Sequence, residues 1–176
     1  MRLIIFIIFS LNFLPNIVLS QTIAVVNIQE LIDNNPKYID IINDIDVSRQ
    51  KYLKNFQKEE DQLKDKFKNI EESKLILSDN EINLQINDYN NQLNNFTLLV
   101  DDFNLHYQKQ VIDIREDLLN HIIVLLERFA VENKVDLILD STSYLIVSNS
   151  LDITDKISNE LLKINFELEY INFEEN

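Results

Sequence analysis

The sequence predicts an α+β protein: a small β body that carries a long α-helical hairpin arm, with a sheet core shared between subunits. Three observations predict it. Between residues 36 and 133 apolar residues recur at spacings of three and four, the pattern of a narrow amphipathic helix stripe. Within that stretch Ser78-Asp79-Asn80-Glu81 reads as a capping box, which divides one long helix into two. Short apolar runs lie on both sides of the helices, at residues 23–26 and 135–148, and these read as strands that close a common base.

In chain order, residues 1–20 read as a secretory signal peptide. Arg2 supplies the positive start, residues 3–11 the apolar core, and Pro15 breaks the helix ahead of Val18-Leu19-Ser20, with cleavage expected after Ser20. The alternative, an uncleaved anchor, is opposed by Asn12, Pro15 and Asn16, which shorten the apolar run below the roughly 20 residues of a span. Ile23-Ala24-Val25-Val26 is a strand apolar on both faces, which asks for burial on both sides. Asn27 and Glu30 cap a short helix, and Asn35-Pro36 starts the first arm helix with Asn as cap and Pro at the first helical position. Its stripe includes Ile42, Ile45, Phe56, Leu63 and Ile70 and ends near Leu77. The second arm helix is expected from about Asp79 to Asn133, on Ile82, Ile86, Tyr89, Leu93, Phe96, Val100 and Phe103. Successive spacings of four at Phe103, Tyr107 and Val111 form a stutter, which locally unwinds a supercoil. The two helices would span on the order of 60 and 80 Å, too long for a compact globule of this size, so they must project.

After the arm, residues 135–140 and 144–148 are expected to pair as a hairpin through 141–143. Asp152-Ile153-Thr154-Asp155 then caps a final helix running to about residue 164. The expected organisation is a signal peptide at 1–20, a β body with short helices from 21–35 and 134–164, an arm at 36–133 with its turn near 77–80, and an extension at 165–176 with no assigned role. So little sheet makes a poor core alone. A homo-oligomer is therefore expected, built around Ile23, Val25, Leu137, Leu139, Leu145 and Val147.

Composition excludes several functions. With no Gly the chain has no glycine-rich phosphate loop, and with no Cys it has no disulfide, thiolate nucleophile or thiolate metal site. No cofactor and no metal are expected. The 30 acidic residues against 16 basic ones leave a formal charge of −14, which opposes nucleic acid and anionic membrane surfaces as partners. The basic residues of 49–68 interleave with acidic ones and read as a solvated face of mixed ion pairs. His106 and His121 lie too far apart on one helix to act together, and adjacent acidic pairs such as Glu59-Glu60 point in different directions. No catalytic residue is expected, and the chain does not read as an enzyme.

Three pieces of the sequence carry a family resemblance. IAVVNIQELIDNNP (23–36), LSDNE (77–81) and VDLILDSTSYLIVSNSLDITDKI (135–157) occur in the order found in the Skp/OmpH family of periplasmic chaperones, and the Asp-Ile-Thr-Asp at 152–155 after the apolar runs is the most specific piece. The chain resembles that family from the mature start to about residue 164. The resemblance implies a periplasmic homotrimer with an oligomeric β-barrel core from which three helical hairpins hang. They enclose a cavity that holds unfolded outer-membrane proteins without ATP and delivers them for assembly. The residues expected to meet such a client are those near the arm tip that lie off the stripe, Leu75, Ile76 and Leu84, together with Phe67. Two features depart from the family pattern. The best-known members are basic whereas this chain is acidic, which argues against lipopolysaccharide or membrane binding, and the extension at 165–176 continues past the resemblance. A different reading of the same residues is a secreted coiled-coil scaffold of the cell envelope, in which the strands only set oligomer state.

Overall fold

The computed structural model describes residues 21–173, and the expected signal peptide lies outside the described residues. The elements are β1 (Ile23–Val26), α1 (Ile28–Asp33), α2 (Pro36–Ser73), α3 (Asp79–Asn133), β2 (Leu137–Asp140), a 3₁₀ turn (Ser141–Ser143) and α4 (Thr154–Leu161). The architecture is a small β body bearing a long helical hairpin, as the sequence predicts.

β1 pairs with β2 in parallel, with Ile23 opposite Leu137 and Val26 opposite Asp140. A parallel pair needs a crossover connection, and here the whole arm is the crossover. The other edge of β1 is also used. The Val25 N–H donates to the Leu151 carbonyl at 2.9 Å, and the Ile153 N–H donates to the Val25 carbonyl at 2.9 Å. Ala24, Val25 and Val26 are buried accordingly.

The expected hairpin of 135–140 with 144–148 does not form. Only residues 137–140 are strand, and 144–148 are irregular. A three-residue hairpin loop ordinarily carries one residue in the left-handed conformation, and among the described residues only Lys134 has positive φ. Asp140 instead folds the chain locally. Its Oδ2 accepts from Thr142 N at 3.3 Å and Thr142 Oγ1 at 2.6 Å, while its Oδ1 accepts from Ile28 N at 3.2 Å. Desolvation works to raise the Asp140 pKa, but these bonds to the charged form outweigh it and hold the carboxyl below its ordinary value.

The caps read from sequence are in place. Asn27 Oδ1 accepts from Glu30 N at 3.1 Å, and Asn35 Oδ1 accepts from Tyr38 N at 3.2 Å with Pro36 opening α2. Glu81 Oε2 accepts from Ser78 N at 2.9 Å and from Ser78 Oγ at 2.7 Å; these bonds from Ser78 lower the Glu81 pKa. Asp152 Oδ1 accepts from Thr154 N at 2.9 Å and from Thr154 Oγ1 at 2.6 Å. Thr154 Oγ1 in turn accepts from Asn27 N at 2.9 Å, linking the start of α4 to the end of β1.

Two apolar cores result. The body core gathers Val26, Ile32, Leu118, Ile122, Ile157 and Leu161. The arm core gathers Ile41, Ile45, Phe56, Phe103, Tyr107 and Ile114. Ile41 is buried more deeply than the expected Ile42. The helix expected to reach residue 164 ends at Leu161. Beyond it the chain runs back along the arm, adding Phe166 to the body core and Phe173 to the arm core.

Candidate interaction surfaces

The arm ends in a short turn, residues 74–78, that leaves apolar side chains in water. Leu75 and Ile76 are 93% and 85% exposed there, and Leu84, in the second turn of α3, is 70% exposed. Phe67 is half-exposed, its ring 5.4 Å from that of Tyr89. Beneath them Ile70 and Ile82 are buried and join the two helices, so the expected contact residues stand on a fixed support. Lysines nearby are neutralised. Lys64 lies 2.7 Å from Glu60, Lys74 2.5 Å from Glu71 and Lys68 3.9 Å from Glu72. Lys66 pairs across the hairpin with Asp88, and its hydrogen bond is the main cause of that carboxyl's lowered pKa. The mixed ion pairs expected of 49–68 are therefore present, and the tip offers apolar contact without a strong cationic field.

The second surface is the outer side of the body. Ile23 and Leu137, which pair in register, are 36% and 46% exposed, and Leu139 is half-buried opposite Val25. Val25 itself is buried within the chain. The sheet register does not include Leu145 or Val147. Both lie in the irregular segment, where Leu145 is fully exposed, Val147 is half-buried and the neighbouring Ile146 is 93% exposed.

Sequence reasoning missed the third surface, a groove along the arm filled by residues 164–173. Burial alternates there: Ile164, Phe166, Leu168 and Tyr170 turn inward, while Asn165, Glu167, Glu169 and Ile171 turn out. The segment belongs to no strand and is gripped by side chains of the arm. Lys37 Nζ donates to the Phe166 carbonyl and lies 4.1 Å from that residue's ring centre. Gln110 Oε1 accepts from Ile171 N at 2.8 Å, and His106 Nε2 lies 2.7 Å from the Ile171 carbonyl. Tyr52 donates to the Phe173 carbonyl at 2.5 Å. The Phe173 ring enters an aromatic nest, 5.4 Å from Phe103, 5.7 Å from Tyr52 and 5.6 Å from His106. His121 stacks on Phe166 at 4.6 Å. Both histidines are thus partly covered by this segment. The period-two pattern of Phe166, Leu168 and Tyr170 was the signal available in the sequence.

Comparison with known proteins gives matches to a family model and to solved structures. The family model described as outer membrane protein (OmpH-like) matches residues 22–161. A crystal structure of a Caulobacter crescentus CB15 protein, provisionally named an outer membrane chaperone (OmpH-like), superposes with a TM-score of 0.62 at 13% identity, covering 87% of this chain and 93% of that one. At that identity the likeness concerns the fold. No curated protein sequence matches the chain.

Proposed function

The chain belongs to the OmpH-like outer membrane protein family, and from that premise we propose that it is an ATP-independent periplasmic holdase for unfolded outer-membrane proteins. One observation supports this reading above the others: Leu75, Ile76 and Leu84 stand exposed at the end of an arm whose two helices bury their own stripe. A protein that shelters unfolded chains needs several weak apolar contacts in preference to one deep pocket. Apolar burial is non-directional and contributes about 25 cal/mol per Å², and patches on several arms reinforce one another by avidity.

The arms come together through the body. Leu145 and Ile146 are exposed beside a sheet of two strands, which favours a homo-oligomer that covers them; the family resemblance makes that oligomer a trimer, with three arms around a cavity. Ile23, Leu137, Leu139 and Val147 would join that interface, with Val25 beneath it. Residues 1–20 would direct export and be removed after Ser20. No catalytic residue, cofactor or metal has a part in this activity.

The test is aggregation of a denatured outer-membrane β-barrel diluted from urea. The processed protein is expected to suppress light scattering at near-stoichiometric ratio without nucleotide. Unchanged aggregation across a tenfold excess would reject the holdase and leave an envelope scaffold.

A further inference from the structure

The groove along the arm is a built site with an occupant already in it. Its inward pockets receive alternate side chains from Ile164 to Tyr170, and Phe173, out of that register, is buried as well. Its polar contacts from Lys37, Tyr52, His106 and Gln110 reach main-chain atoms of the occupant, while Ser48 meets a side chain, that of Asn172. Main-chain contacts do not depend on which residues the occupant carries, and alternate apolar pockets ask only for an amphipathic extended segment. Residues 164–170 meet both demands, with Glu167 and Glu169 turned outward. Clefts of about 650 and 450 Å³ flank the occupant, the first beside Lys37 and Ile41, the second beside Leu105 and His106.

From this geometry we infer that the C-terminal segment is a built-in competitor, seated in a groove that otherwise takes an extended stretch of unfolded polypeptide with alternating apolar and polar residues. A transmembrane β-strand has that alternation. The inference rests on the holdase reading and adds regulation to it: a client must displace the strap to gain the groove, so weak binders are refused. An occupant tethered to the same chain lowers the apparent affinity of an external one by the fraction of time it sits in place.

The test uses the full processed chain and two probes, an unfolded β-barrel in dilute urea and a fluorescent peptide copying residues 164–176. Phe173→Ala removes the aromatic anchor at the far end of the strap and leaves the groove intact. It is expected to bind both probes about tenfold more tightly than the parent. The second variant is Ser48→Cys with Asn172→Cys, positions whose side chains now meet at 2.7 Å in a protein without other cysteines. Its oxidised form is expected to bind the peptide at least tenfold more weakly than its reduced form. Circular dichroism reports whether the helices persist. A Phe173→Ala chain with parental helicity and parental affinity for both probes overturns the inference. Should that variant lose helicity, the cysteine pair decides: equal peptide binding in its two oxidation states overturns it as well. Tighter peptide binding with unchanged β-barrel binding also overturns it, and shows a structural brace. Failure of the parent and of Phe173→Ala alike to hold the β-barrel rejects the holdase reading itself.

Discussion

Single residues in this chain carry work that other sequences assign to glycine. Helix α3 ends on Lys134 with φ of 55° and ψ of 43°, the left-handed conformation that terminates helices, and the Val135 N–H closes the end on the Ala130 carbonyl at 2.9 Å. Glycine takes that position without a Cβ penalty, whereas other residues lose roughly 1–2 kcal/mol to it. Since the sequence contains no glycine at all, the cost is borne in place. Lys134→Gly is expected to stabilise the protein by about 1 kcal/mol, less glycine's own entropy loss. A calorimetric scan should show this as a rise of about 2–4 °C in Tm. A lower Tm would mean that the lysine side chain contributes more than its backbone costs.

At the scale of elements, the legible parts were those encoded by neighbours in sequence. Asn27, Asn35-Pro36 and Ser78 with Glu81 each satisfy backbone donors within four residues, so local sequence suffices to place the helix starts. The stripe residues Ile82, Phe103 and Tyr107 were legible for the same reason, since helical spacing puts those positions on one face. Two elements were not legible, because their partners lie far away. Residues 144–147 form a continuous apolar run, and no described strand pairs with them although β2 ends at Asp140. Residues 164–170 do alternate, and the segment's partner is a helical groove whose contacts lie 61 to 129 positions upstream. Alternation declares an extended segment and says nothing about what it lies against. The arm tip permits a separation of roles. Leu75, Ile76 and Leu84 face water, so replacing all three by Ser should shift stability by no more than about 0.5 kcal/mol per site. The same change should weaken the hold on an unfolded β-barrel by about tenfold or more, since each lost contact removes a share of about 1.5–3 kcal/mol. Titration of a labelled client beside thermal melts of the variant gives both quantities. An intact affinity would move client contact away from the tip.

For the whole molecule the decisive surface is the outer side of the body. Leu145 is fully exposed in the single chain, so Leu145→Asp costs the subunit little by itself. In the proposed trimer the same charge would be buried without a partner, which is strongly unfavourable. Light scattering is therefore expected to change from a trimer to a monomer mass on this substitution, with helicity largely kept. A trimer mass in the variant would place the interface elsewhere on the body.

The sheet has a further consequence for how the protein is made. Thr22 and Asp136, joined by a 2.8 Å bond at the start of the parallel pair, lie 114 positions apart, and the second edge of β1 waits for residues 151–153. Helices form from near neighbours in microseconds, while pairing across so long a span comes late. During biosynthesis the first strand therefore stays open-edged until almost the entire polypeptide has followed it. Each new copy begins life with the same vulnerability it is proposed to relieve in others.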